Sequence, residues 1–531
     1  MSETPSSPKS SKPENSAPVS MGAKIIYGLG SGNDMWGNWL YPTFAWTVFN
    51  MYLGLPGKMI SLALTMRLVW DIFTDPFFGW WSDNTRTRFG RRRPFILAGS
   101  VLAGITFPLL FLVGDGWTDN AYFLWMIFSS IIFMTMVSCF NVPYQSLGAE
   151  LSPDYKERTA IYAFKGSIQK IMEIGMFVAP AFATALAWEN ATLADVPERL
   201  GGIISGGFHW LGQLGGAIAS LDMMGILELT KTPMGMSSGT GEENVNVVLG
   251  AQVYASILGG VMILIGFALF FGLKERYYKN FVQTSHQKVR ITETIWEALK
   301  CKPFRVQLSM GLAYSLGLSM VGTLGLYATV YYVSGGNRTE GNLWNAGMGF
   351  FNMIFGFLGP IVFGGFVSRW LDKRGTILAI QSCAMVVFAA TWWLYTPEVK
   401  WLQLFASGLI AFTQAGFWMM YGSIGADVID FDELQSGKRR EGAFTACGTY
   451  VMKVGMVLGT FITGFVLDWT GFDADLVGDQ DPSAIFWIRF LLAAVPIAGI
   501  ILSFVMILSF PLSRQKMQEI RNELEARRGT V

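Results

Sequence analysis

Residues Asp71 to Pro94 read DIFTDPFFGWWSDNTRTRFGRRRP, an apolar helix carrying two aspartates that runs out into a loop with five arginines. Asp71 and Asp75 are four residues apart, so a helix places them on one face about one turn from each other. Everything around them is hydrophobic. A charged side chain at the middle of a membrane helix costs roughly 2.5 to 3.5 kcal/mol on insertion scales, so two on one face require a neutralising partner. The cheapest such partner is a cation.

The chain around this stretch is too apolar for a soluble protein of its length. Of 531 residues, 52% are hydrophobic, 15% aromatic and only 15% charged, and the mean hydropathy is +0.39. This composition implies an all-α polytopic membrane protein. A formal net charge of +1, with basic residues segregated into loops, argues against a nucleic-acid partner. Cys139, Cys301, Cys383 and Cys447 have no paired spacing and are expected to be small core residues, neither disulfide nor metal ligands. His209 and His286 fall outside the apolar runs and support no histidine relay or metal site. Residues 1–21 are expected to form a disordered tail without a signal peptide.

Apolar runs of membrane-spanning length occur at 25–53, 59–82, 95–114, 121–149, 159–187, 248–273, 306–333, 345–368, 376–396, 401–429, 442–468 and 484–511. Twelve spans put both termini on one side. The loops on that side hold 29 of the 39 Lys and Arg residues, and the opposite side holds five (Lys58, Arg199, Lys231, Arg338, Lys400). The positive-inside rule therefore predicts both termini in the cytoplasm of a cell whose plasma, or bacterial inner, membrane holds the protein. The longest cytoplasmic connection, 274–305, divides the chain into an N-terminal half (22–273) and a C-terminal half (306–511), followed by a cytoplasmic tail at 512–531. Two six-helix halves are the arrangement of the major facilitator fold. On the outer side, 188–247 interrupts the first half and is expected to be a surface insertion in preference to a lid over the vestibule. The sequon Asn337-Arg338-Thr339 is predicted to face outward.

Ionisable residues within the spans are few: Asp34, Arg67, Asp71, Asp75, Lys165, Lys170, Glu173, Asp427, Lys453 and Arg489. Asp427 and Arg489 lie near span ends and are expected to snorkel to the interface. Asp71, Asp75 and Lys453 sit deeper, where an isolated structural ion pair is expensive, and are candidate functional residues. A hard monovalent cation takes several oxygen ligands, which the carboxylates, Thr74 beside them and Ser138 of the fourth span offer. A proton is the alternative, because two close carboxylates raise the pKa of one of them. Trp418 stands among small residues in the tenth span and reads, taken alone, as core.

The motif Asp71-x3-Asp75-Pro76-x2-Gly79, followed by Asp83-Asn84-Thr85-Arg86-Thr87-Arg88-x-Gly90-Arg91-x-Arg93-Pro94, resembles the signature of the glycoside-pentoside-hexuronide:cation symporters, of which the melibiose permease is the best known member. Asn141-Val142-Pro143-Tyr144, Glu157-Arg158-Thr159, and Ala426-Asp427-x2-Asp430 through Arg439-x-Glu441, with Lys453 twelve residues later, fall at family-like positions. The resemblance covers most of 22–511 outside the insertion.

It implies that Asp71, Thr74, Asp75 and Ser138 bind the coupling cation, with sodium, lithium and proton all open because Thr74 and Ser138 replace an asparagine and a threonine. It further implies that Trp418, Thr449 and Lys453 belong to or adjoin the sugar site, and that Lys165 stands where the family has an arginine. Asn141 replaces an aspartate and Gln145 a tryptophan, and Asp34 lies one residue before the family's first-span aspartate, where Met35 stands, so a galactoside is not implied. Asp83, Arg91, Arg158, Asp430, Arg439 and Glu441 are expected to latch the two halves on the cytoplasmic side.

The expected function is alternating-access symport of a sugar, glycoside or uronate-like solute with one of these ions. No other cofactor is expected, and the chain is expected to work as a monomer among membrane lipids. The rivals are a lysolipid carrier of the same superfamily, which Asn141, Gln145 and Thr449 disfavour, and a solute sensor, which has no need of the aspartate pair. No nucleophile–base pair, metal cluster or nucleotide loop suggests an enzyme.

Overall fold

The computed structural model describes residues 19–114, 116–151, 155–205, 213, 245–273, 299–436 and 441–528. The N-terminal tail before residue 19, most of the outer insertion, the central loop at 274–298 and Arg439 lie outside the described residues.

The described residues are helical with no strand, and each expected span coincides with one helical stretch. These are α1 (21–52), α2 (Gly57–Asn84), α3 (Arg93–Leu109), α4 (Asp119–Glu150), α5 (155–183), α6 (Val247–Gly272), α7 (Lys302–Val333), α8 (Arg338–Trp370), α9 (Lys373–Leu394), α10 (Leu402–Ser436), α11 (Glu441–Trp469) and α12 (Pro482–Leu508). Helix starts are marked by short oxygen side chains that accept from free backbone N–H groups: Ser20 for α1, Thr118 for α4, Asn246 for α6, Asn337 for α8, Asp372 for α9 and Asp481 for α12. Eight of the helices are long and apolar enough to cross a bilayer, and α3 is apolar but shorter. The three left over, α1, α2 and α5, carry Asp34, the Asp71–Asp75 pair, and Lys165 with Lys170. These three helices therefore hold most of the ionisable residues found within the spans. The protein is an integral, multi-pass membrane protein.

Two departures from a simple α-rod shape the first half. Helix α1 contains π-helical turns at Trp36–Leu40 and Trp46–Tyr52, and α5 breaks at Glu173 between Tyr155–Met172 and Ile174–Ala183. Third-span helicity ends at Leu109, just after Pro108, and not at 114 as its apolar run suggested.

The halves meet at the end that carries the 188–247 insertion. There Gly57 of α2 and Gly464 of α11 pack so closely that a Cβ on Gly464 would clash with the Gly57 carbonyl, the small-residue contact that lets membrane helices approach. The Tyr327 hydroxyl donates to Asn50 Oδ1, the Lys58 amide donates to Asp468 Oδ2 at 3.3 Å, and the Arg338 guanidinium lies 5.1 Å from the Tyr52 ring centre. One apolar core runs through α1–α6 and into this end of the second half. A separate core fills the other end of the second half. Toward the arginine-loop end, Gln145 on α4 and Thr449 on α11 are exposed polar residues, one in each half.

The segment 512–531, expected as a tail, contains a further helix, α13 (Arg514–Arg528). Its buried Met517, Ile520 and Leu524 form one stripe that joins the core of the second half, and Lys516 lies 5.9 Å from the Phe431 ring centre at the end of α10. Spacings of three and four make that stripe a helical face.

Candidate cation and solute site

Helix α2 supplies the centre. Asp71 and Asp75 project one turn apart on one face, and Pro76 immediately after them removes one N–H from the helical ladder. Asp71 is buried, its side chain 7% exposed, whereas that of Asp75 is 28% exposed. Lys453 of α11 reaches across from the second half and places Nζ 2.5 Å from Oδ2 of each aspartate. Ser138 of α4 donates from Oγ to Asp71 Oδ1 at 2.9 Å, and its hydroxyl lies 3.0 Å from Thr74 Oγ1. The four residues expected to hold a cation are thus adjacent, and α2 and α4 meet where nothing in their spacing required it. Two carboxylates and two hydroxyls form an all-oxygen donor set suited to a hard cation. A single ammonium between two carboxylates is also a charge-assisted pair that compensates most of their mutual repulsion.

Helix α4 continues the site toward the arginine-loop end. Ser138, Asn141 and Gln145 follow at three and four residues, so they share a face, and Gln145 Nε2 donates to Asn141 Oδ1 at 3.1 Å. Thr449 stands one turn before Lys453 on α11 and is exposed. Trp418 is 38% exposed and packs edge-on against Tyr314 with 6.2 Å between ring centres. That exposure corrects the reading of Trp418 as core; it also packs edge-on against Tyr421, with 5.4 Å between ring centres.

A second polar cluster joins α1 to α5. Lys165 Nζ lies 3.4 Å from Asp34 Oδ2 and 5.2 Å from the ring centre of Tyr144, the neighbour of Gln145. Asn38 Nδ2 donates to Asp34 Oδ1 at 3.0 Å. Asn38 had not been singled out, although its place one turn after Asp34 was the available signal. Asp34 therefore has a cationic partner on a second helix despite its one-residue offset from the family position.

The expected cytoplasmic latch is only partly described. Arg91 is buried and Asp430 half-buried, both engaged with other groups, whereas the side chains of Asp83, Arg158 and Glu441, and the whole of Arg439, lie outside the described residues. Arg93, beside Arg91, donates from Nε to the Phe270 carbonyl at 2.8 Å and ties the start of α3 to the end of α6.

The two residues expected to snorkel do not. Asp427 is 3% exposed and pairs with Lys373 of α9 at 2.7 Å. Arg489 is held between Tyr332 and Trp392, its guanidinium carbon 3.9 and 4.3 Å from their ring centres. Partners from neighbouring helices replace the water that each would otherwise seek. Among the described residues no group of three or more His, Cys, Asp and Glu is placed to hold a metal.

Residues 27–514 match the MFS/sugar transport protein family. The chain belongs to that family. It is 23% identical over 515 residues to a putative glycoside/cation symporter of Escherichia coli, with 95% of each chain covered. It is also 23% identical over 472 residues to the sodium-dependent lysophosphatidylcholine symporter 1 of Gallus gallus, covering 88% of this chain and 81% of the relative. Among solved structures, a D-xylose-proton symporter superposes with a TM-score of 0.54 at 13% identity, covering 91% of this chain and 95% of that one. At that identity the likeness speaks for the major facilitator fold alone.

Proposed function

We propose that this family member is a cation-coupled symporter that carries a sugar-like solute by alternating access, with sodium, lithium or a proton as the coupling ion. The observation that carries the reading is the ammonium of Lys453 seated between Asp71 and Asp75 with two hydroxyls beside them. Lys453 belongs to the half opposite the aspartates, so a cation taking the position of its Nζ changes what joins the two halves. Lys453 and the ion compete for one pair of carboxylates, and the displaced ammonium is then available to the solute beside Thr449 and Trp418. Ion and solute thereby raise each other's affinity by the same factor.

The glycoside/cation relative and the family description favour a sugar, glycoside or uronate. The lysolipid symporter relative supports a second reading, but the Asn141–Gln145 pair and exposed Thr449 present hydrogen-bonding groups where an acyl chain needs an apolar slot. Orientation follows from the charge distribution: termini and arginine loop in the cytoplasm of a plasma or inner membrane, the insertion outside.

The test is uptake into sealed vesicles of labelled D-xylose, methyl glycosides, glucuronic acid and lysophosphatidylcholine, each under imposed sodium, lithium and proton gradients. Accumulation of one of the sugars that follows one ion gradient is expected. Accumulation of lysophosphatidylcholine alone would replace the sugar reading with the lipid one, and gradient-independent equilibration of every solute would overturn coupling. Cysteines placed at 215 and 525 test orientation, since only the first should react from outside intact cells.

A further inference from the structure

One buried charge that this scheme leaves without a role is Arg67. It lies on α2 one helical turn before Asp71 and is 1% exposed, in a setting where an intramembrane cation needs compensation. One terminal nitrogen donates to the Gly37 carbonyl at 3.3 Å and toward Met134 Sδ at 3.6 Å. The other donates to the Asn38 carbonyl at 3.0 Å, and Nε has no hydrogen-bond partner. Both carbonyls belong to the π-helical turn Trp36–Leu40, an irregularity frequent at functional sites. Asn38 in turn donates from its side chain to Asp34, and Asp34 pairs with Lys165.

Charge arithmetic gives Arg67 a second property. Asp71 and Asp75 carry two negative charges and Arg67 one positive, so one further monovalent cation neutralises the cluster. Either the Lys453 ammonium or a bound ion serves, and the two together would leave an excess positive charge away from water, which is costly.

Resting on the cation reading above, we propose that Arg67 is the positioning residue that carries the state of the Asp71–Asp75 pair to α1, and through Asn38 and Asp34 to Lys165 on α5. One helical turn is about 5.4 Å; ammonium and ion carry the same charge, so what the guanidinium senses at that range is the shifted position of that charge and of the Asp71 carboxylate when one replaces the other. Its planar fork converts that change into a stronger or weaker hold on two carbonyls of the π-turn. The π-turn is the element that both sites bias, as coupling between sites requires.

The test is hydrogen–deuterium exchange on the purified full-length protein in detergent. Sodium chloride, lithium chloride and choline chloride are compared at equal ionic strength, with an acid series in choline, and melting temperature reports ion binding. In the wild type, the effective ion should change exchange at residues 36–41 and 160–170 by at least twofold. Arg67→Lys, which keeps the charge but loses the fork, and Arg67→Gln should keep the ion-dependent rise in melting temperature and lose the response at both segments. Asn38→Ala, at a half-buried position, should keep the response at 36–41 and lose it at 160–170, so the link stays testable if the Arg67 variants do not fold. Arg67 variants that bind the ion and respond like wild type, or Asn38→Ala with an undiminished response at 160–170, would overturn the coupling role and leave the cation site standing. A wild type whose melting temperature responds to no ion would instead overturn the cation reading beneath it.

Discussion

Lys453 on α11 places its ammonium nitrogen 2.5 Å from Oδ2 of Asp71 on α2, a contact across 382 positions of sequence that joins the two halves of the molecule. The second aspartate is equally close, and Ser138 holds the other oxygen of Asp71. A lysine in this position links the two halves and, in the proposed scheme, substitutes for the coupling ion. Its departure therefore has structural as well as ionic consequences.

Lys453→Ala removes that substitute and leaves two facing carboxylates. Breaking a buried pair costs about 3 to 5 kcal/mol, and the cost here falls toward the lower end because the Asp75 side chain is 28% exposed. The variant is expected to melt at lower temperature in choline chloride than the wild type, to recover much of the difference in the coupling ion, and to lose solute accumulation. The ion-dependent rise in melting temperature should exceed that of the wild type, since no ammonium competes and stabilisation grows with occupancy. A melting temperature equal to wild type in choline, with full uptake, would show that Lys453 bridges nothing of consequence.

Arg489 predicts the opposite pattern. It stacks between Tyr332 and Trp392 and donates to the Trp392 carbonyl at 2.8 Å, linking α7, α9 and α12 away from the aspartates. Each stacked contact contributes about 0.5 to 2 kcal/mol depending on desolvation, and a lysine cannot stack as a plane. Arg489→Lys should lower thermal stability and leave ion dependence and uptake per folded molecule unchanged. Altered ion affinity in this variant would place Arg489 in the coupling network.

Much of the architecture was legible because a bilayer imposes long apolar runs, and the i, i+4 aspartates stood out because charge is rare within them. The contact of Thr74 with Ser138 was not legible from spacing, since contacts between helices depend on packing; the residue types offered both hydroxyls as donors, and the family resemblance put them at one site. The π-turn at Trp36–Leu40 has no periodic signal, so Arg67 had no visible partner in the sequence. Asp427 was misread because position near a span end suggests water, while its actual partner, Lys373, comes from another helix. The α13 stripe of Met517, Ile520 and Leu524 was readable in principle, but the charged residues between them concealed a docking face.

That stripe supplies a third prediction. Met517, Ile520 and Leu524 are each at most 6% exposed, and burying such side chains contributes about 1.5 to 3 kcal/mol apiece. Ile520→Asp should release α13 from the end of α10 and make the Arg521 and Arg527 bonds readily cut by trypsin, whereas the wild-type helix resists. Equal cleavage rates in the two proteins would mean that the stripe does not hold the helix in place.

The last prediction concerns Asp75, the more exposed member of the pair. Asp75→Asn lowers the local charge by one and replaces two carboxylate oxygens with a single amide acceptor, so the affinity for a hard cation should fall sharply. Asp71, Arg67 and Lys453 remain with one excess positive charge, which the Lys453 side chain, 20% exposed, can turn toward water, so the fold should survive at a lower melting temperature. Solute binding need not vanish, because Asn141, Gln145, Trp418 and Thr449 lie on other helices. What should disappear is the linkage: solute affinity no longer rises with sodium, lithium or acid, and uphill accumulation stops while exchange down a gradient persists. If the aspartates serve structure alone, the same change weakens the bridge to Lys453 and lowers stability without touching any ion dependence. Solute binding to purified Asp75→Asn across an ion titration, read beside its melting temperature, separates the two. A well-folded variant that retains the wild-type ion dependence would remove the carboxylate pair from the coupling mechanism.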